Sequence, residues 1–128
     1  MKHVNEIKES PRGFQPLDIT DILYQERKIF LDDDINPETS VETIKQLIAL
    51  DKDSHDEITL FINSPGGCVT SGLAICDAIE TVKSPVTTVC IGLAASMGAV
   101  IFLHGQKRKM MKHSKIMLHD PSFGGGNL

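Results

Sequence analysis

Apolar positions along this chain switch repeatedly between two spacings. The run Ile58-Thr59-Leu60-Phe61-Ile62 has the length and composition of a buried strand, and Val86-Thr87-Thr88-Val89-Cys90-Ile91 has the same character. A shorter strand is predicted at Lys28 to Leu31. Between these runs the spacing becomes helical. Val41, Ile44, Leu47 and Ile48 recur on one face behind Asn36-Pro37-Glu38, which opens a helix. Val69, Leu73, Ile75, Cys76, Ile79 and Val82 predict a second helix, which Ser84-Pro85 closes. A third apolar helical stretch begins near Ser96 and continues to Leu103, and Lys115 to Leu118 reads as a last strand.

Strand and helix units repeated in this way predict an α/β layer fold. Residues 1–17, with Pro11, Gly13 and Pro16, read as a mobile N-terminal arm, and residues 18–128 as a single domain. A chain of 128 residues with 41% hydrophobic content is long enough for one modest core. The net charge of −4 argues against nucleic acid as a partner, because phosphate binding needs a basic surface. The basic cluster Lys107, Arg108, Lys109 and Lys112 reads as a solvated hairpin tip. Met1 to Lys8 has no apolar core of a secretory signal, and the apolar stretch from Ala94 to Leu103 is far short of a membrane span, so a cytoplasmic protein with no membrane partner is expected.

Chemistry concentrates in two loops. Ser96 stands where a strand-type run gives way, through Gly92-Leu93-Ala94-Ala95, to a helix. A hydroxyl there meets unpaired amides and the positive end of the helix dipole, which favour developing negative charge and suit acyl transfer. Serine is also an ordinary helix cap. Upstream, Asn63-Ser64-Pro65-Gly66-Gly67-Cys68 again joins strand to helix, and its glycines allow main-chain amides close to a bound group. The same residues also make a plain tight turn. Cys68, Cys76 and Cys90 are an odd count without a Cys-x-x-Cys pair and read as core thiols, with a Cys68 nucleophile as the alternative. The histidines at 104, 113 and 119 have no carboxylate or cysteine at ligand spacing, so no metal is expected.

Three runs, in this order and approximate spacing, resemble the ClpP family of serine peptidases, the proteolytic subunits of the Clp protease. They are Ile62-Asn63-Ser64-Pro65-Gly66-Gly67, Ala94-Ala95-Ser96-Met97-Gly98-Ala99 and Met117-Leu118-His119-Asp120-Pro121. Glu26-Arg27-Lys28-Ile29-Phe30-Leu31 is similar to the family's first core strand, so the likeness runs from about Ile19 to the end. The resemblance implies the ClpP/crotonase type of stacked strand-helix units, with Ser96 as nucleophile, His119 as general base, and the Gly67 and Met97 amides as oxyanion hole. It implies that Gly67-Cys68-Val69 and Ser122-Phe123-Gly124 flank an extended substrate strand, a mode that reads main chain. It also implies a homo-oligomer of stacked seven-membered rings, unfolded protein substrates, and a ring-shaped AAA+ ATPase that consumes the ATP. No cofactor is then needed here, consistent with the lack of a Gly-x-x-x-x-Gly-Lys-[Ser/Thr] loop.

The family's triad ends in an aspartate well downstream of the histidine, followed by a long helix that joins two rings. Neither falls within these residues, and the expectation is the front part of a longer member, with the domain incomplete at its C-terminus. Asp120 stands where most members have glutamine. Successive side chains of an extended segment point to opposite faces, so Asp120 is poorly placed to orient His119. Losing the triad aspartate costs a serine protease about 10⁴-fold in turnover, so these residues alone are expected to be nearly silent. The alternatives are a non-catalytic ring subunit and a viral head-maturation peptidase of the same fold. A crotonase-type thioester enzyme would place carboxylates, rather than a Ser-His pair, at its reacting centre.

Overall fold

The computed structural model describes residues 5–10, 13–118, 122–123 and 126–127, with side chains from 18 to 118. Its centre is a parallel sheet of β3 (Lys28–Leu31), β4 (Ile58–Ser64), β5 (Val86–Ala95), β6 (Lys107–Met110) and β7 (Lys115–Met117). The order is β3-β4-β5-β6, and β7 pairs with β5 beyond the end of β6. Helices α2 (Pro37–Asp53), α3 (Val69–Thr81) and α4 (Met97–Leu103) supply the crossovers, α2 packing on α3 and α3 on α4. Ile58, Leu60 and Ile62 of β4 meet Val86, Cys90 and Ala94 of β5 in a core that Leu47, Ile75 and Ile101 close from the helices. The α/β expectation is met.

Local signals act as read at the start of α2. Asn36 Oδ1 accepts from the Thr39 amide at 2.9 Å, Thr39 Oγ1 accepts from the Asn36 amide at 2.9 Å, and Pro37 occupies the first turn. The buried face of α2 differs from the predicted one. Val41 and Ile48 are exposed, while Ser40, Thr43, Leu47 and Leu50 are buried. Ser40 Oγ donates to the Ser71 carbonyl at 2.7 Å and Thr43 Oγ1 to the Thr39 carbonyl at 2.9 Å. Small polar side chains that bond to backbone can be buried where helices approach closely, and apolar periodicity does not register them. Val69 and Leu73 of α3 are likewise exposed.

One further expectation is corrected. The basic stretch is no hairpin: Lys107 to Met110 pairs in parallel with Thr87 to Cys90, and Lys115 to Met117 pairs in parallel with Leu93 to Ala95. All four residues of β6 are exposed, and charges on an edge strand discourage pairing with another chain. Within the N-terminal arm, β1 (Asn5–Ser10) and β2 (Gly13–Asp18) pair antiparallel, and a short helix unforeseen from the sequence, α1 (Ile19–Gln25), follows. Strands β8 (Ser122–Phe123) and β9 (Gly126–Asn127) pair with each other. No helix among the described residues is long and apolar enough to cross a membrane.

The amino ends of the central strands are held by polar side chains. Arg27, just before β3, adopts φ +63° and donates to the carbonyls of Leu50, Ser54, Asp56 and Glu57 at 2.8 to 3.3 Å and to Ser84 Oγ at 3.2 Å. Asp51 Oδ1 accepts from the Ser84 amide and hydroxyl at 2.9 Å and from the Lys83 amide at 3.1 Å, with His55 Nδ1 also 3.1 Å away. Partial burial opposes ionisation of Asp51, but these hydrogen bonds outweigh it and hold the carboxyl at about 2, below the ordinary 3.8.

Candidate active site

The carboxyl ends of β4 and β5 lie side by side, with Ser64 opposite Ala94. Two residues later the chain turns sharply: Ser96 has φ +55° and ψ −122°, and α4 starts at Met97. A non-glycine residue in this conformation is strained by of order 1–3 kcal/mol, so surrounding contacts must hold it. The Ser96 amide donates to the Met117 carbonyl at 2.9 Å, and its carbonyl accepts from Ala99 and Val100 at 3.0 and 3.1 Å. The hydroxyl makes no capping bond to α4 and is half-exposed. The cap reading therefore does not account for this serine.

The glycine loop is pressed against that turn. A Cβ at Gly66, where φ is +104°, would lie 2.8 Å from Ser96 Cβ and 2.9 Å from the Ala95 carbonyl oxygen. Inside the loop, the wholly buried Ser64 accepts from the Gly66 amide through Oγ at 3.1 Å. Outside it, the Ile35 amide donates to the Gly66 carbonyl at 2.9 Å and the Cys68 amide to the Ile35 carbonyl at 2.8 Å. This parallel bridge leaves no room at Gly67, where a side chain would overlap the Ile35 backbone. On the other flank, a Cβ at Gly98 would meet the Ser64 carbonyl at 2.9 Å, so α4 packs directly on the end of β4. Among the described residues neither the Gly67 nor the Met97 amide donates a hydrogen bond. Unpaired amides beside a strained, uncapped hydroxyl are what an oxyanion site requires.

Cys68 caps α3 without a side-chain bond to its amides and is half-exposed, so it is not the core thiol expected, whereas Cys76 and Cys90 are buried. Hydrogen bonds from Ser71 and Thr70 lower the Cys68 thiol to about 7, and Thr70 Oγ1 lies 3.2 Å from its sulfur. Burial, aided by Glu80 and Asp77, pushes Cys76 up to about 11. Val69 is exposed beside the loop. His119 and Gly124 lie outside the described residues, and Ser122 and Phe123 are described as backbone only. Among the described residues no cluster of three His, Cys, Asp or Glu side chains is placed to hold a metal. Sequence reasoning missed the bend in β5 before Ser96, although a glycine inside a strand pattern, Gly92, is a signal for one.

A sequence model described as Clp protease matches residues 11–127. The chain belongs to the Clp protease family. It is 44% identical over 124 residues to the ATP-dependent Clp protease proteolytic subunit 3, chloroplastic, of Arabidopsis thaliana, covering 92% of this chain and 40% of that protein. Its fold matches the crystal structure of the ClpP protease catalytic domain from Plasmodium falciparum with a TM-score of 0.79 and 42% identity, over 80% of this chain and 59% of that one. The chain thus spans less than two thirds of either relative, and its α/β fold is that of a ClpP catalytic domain.

Proposed function

We propose that this chain is the nucleophile-bearing part of a Clp-type serine endopeptidase subunit. The observation that carries the reading is Ser96: a strained residue with an uncapped hydroxyl, packed against a glycine loop next to two amides that have no acceptor among the described residues. Ser96 Oγ attacks a peptide carbonyl while His119 takes its proton. The Gly67 and Met97 amides receive the oxyanion, His119 returns the proton to the leaving amine as the C–N bond breaks, and water releases the acyl group by the reverse sequence. Cys68 and Val69 on one side, and Ser122, Phe123 and Gly124 on the other, border the extended substrate.

Family membership supports the rest of the proposal. The triad acid is supplied from outside these residues, the working form is a stacked ring of identical subunits, and unfolded proteins arrive through an AAA+ ATPase that spends the ATP. The chain itself carries no cofactor. The compartment in the Arabidopsis relative's name belongs to that protein; for this chain the reading is cytoplasmic. The test is hydrolysis of a fluorogenic peptide by a form extended through the family's downstream segment. Activity is expected to survive Cys68→Ser and to fall by about 10⁴-fold or more in Ser96→Ala and His119→Ala. Loss with Cys68→Ser and survival with Ser96→Ala would overturn it.

A further inference from the structure

The two central strands fall out of step just before Ser96. Pairing runs regularly from Ile58 and Val86 to Ile62 and Cys90, then resumes at Ser64 and Ala94, so β4 advances two residues while β5 advances four. The other edge of β5 breaks at the same place, since β6 ends opposite Cys90 and β7 begins opposite Leu93. Ile91 and Gly92 therefore belong to neither ladder, and such an interruption bends a strand. One side chain occupies the gap: Asn63 Oδ1 accepts from the Leu93 amide at 3.2 Å. Gly92, at φ +69°, lies directly beneath it, and a Cβ there would sit 2.7 Å from Oδ1 and 3.1 Å from Cγ of Asn63.

We propose that Asn63 is a positioning residue for acylation of Ser96, its carboxamide replacing the missing ladder acceptor at the bend and thereby fixing the direction in which β5 presents the nucleophile. The proposal rests on the reading of Ser96 as nucleophile and adds a residue that acts only through backbone. Asn63 is exposed, so its replacement removes an orienting bond rather than core packing. Leucine preserves its shape without the acceptor, and aspartate restores the acceptor.

The test is the rate of fluorophosphonate labelling at Ser96, with peptide kcat and KM, in Asn63→Leu, Asn63→Asp, Gly92→Ala and the Leu/Ala double variant, alongside Tm and hydrogen exchange at the Leu93 amide. Asn63→Leu is expected to lower the labelling rate and kcat about tenfold with KM unchanged, because reacting groups lose rate when misplaced by an ångström or less. Asn63→Asp should recover to within about twofold, and the double variant should be no slower than the slower single one, since both changes break one device. Parental rates in Asn63→Leu, or no recovery in Asn63→Asp, would overturn the proposal. A parent that never labels, although its Leu93 amide is protected and that of Asn63→Leu is not, would show instead that the nucleophile reading has failed, and the positioning role falls with it.

Discussion

The two ends of the central sheet use their polar groups in opposite ways. At the amino ends of β3, β4 and β5, Arg27 gathers four carbonyls and a hydroxyl, and Asp51 accepts from Ser84 twice and from Lys83. At the carboxyl ends, two amides have no acceptor among the described residues, Ser96 holds an uncommon backbone conformation, and three glycines, Gly66, Gly67 and Gly98, admit neighbours a side chain would displace. Saturated hydrogen bonding fixes a fold and holds even Arg27 at its positive φ, while unpaired donors are retained where a ligand or transition state supplies the partner. On the proposed function, the difference divides stability from chemistry within one sheet, as in open α/β folds that bind ligands beyond the carboxyl ends of their strands.

The sharpest way to break this division is Gly67→Ala. The new methyl would overlap the Ile35 backbone and move the amide, so kcat/KM for a peptide is expected to fall by about 10²–10³, the cost of one oxyanion donor. A variant that keeps full activity would remove Gly67 from the site. The counterpart at the other end is Arg27→Ala. It leaves several carbonyls of the α2 terminus without their donor and should lower unfolding free energy by about 2–3 kcal/mol, read by urea denaturation, while the labelling rate of the folded protein stays at its parental value. A large drop in that rate without destabilisation would erase the division.

Smaller effects sharpen the same contrast through pH. Asp51 has its carboxyl lowered to about 2 in the folded state against 3.8 ordinarily, so the unfolded chain takes up its proton first. Its stabilising contribution is full above about pH 4 and is lost as pH falls through about 2. Tm measured over that window should fall more steeply in the parent than in Asp51→Asn. At the other end, alkylation of Cys68 should be half-maximal near pH 7, whereas Cys76, buried and at about 11, should stay unmodified in the folded protein. Peptide mapping after iodoacetamide treatment separates the two thiols.

Much of this architecture was legible before the structure. β4, β5, α3 and the capped start of α2 follow from runs, periodicity and the Asn36-Pro37 signal, and the Ser-Pro-Gly-Gly loop was visible as a place where amides are freed. Four features were not. The inward face of α2 carries Ser40 and Thr43 in place of Val41 and Ile48, because bonds to backbone offset the burial of hydroxyls. Helix α1 has only seven residues and buries none of them fully, so the spacing of Ile19, Ile22 and Leu23 is too short a run to mark a helix. The parallel placement of β6 and β7 is a long-range pairing that local spacing does not encode. The positive φ at Ser96 and the unequal advance of β4 and β5 emerge only where the strands are assembled, with Gly92 as their one local mark. Of the three short motifs that resemble the family, the glycine loop, the Ser96 turn and Met117, whose carbonyl accepts from the Ser96 amide, lie at the carboxyl end of the sheet.

The most direct test of the central claim is to treat the extended chain with a fluorophosphonate and locate the adduct by tandem mass spectrometry. A single phosphonylation on Ser96, absent from Ser96→Ala and strongly slowed in Gly67→Ala, is the predicted result. An adduct on another residue, or equal labelling of the parent and Gly67→Ala, would contradict it.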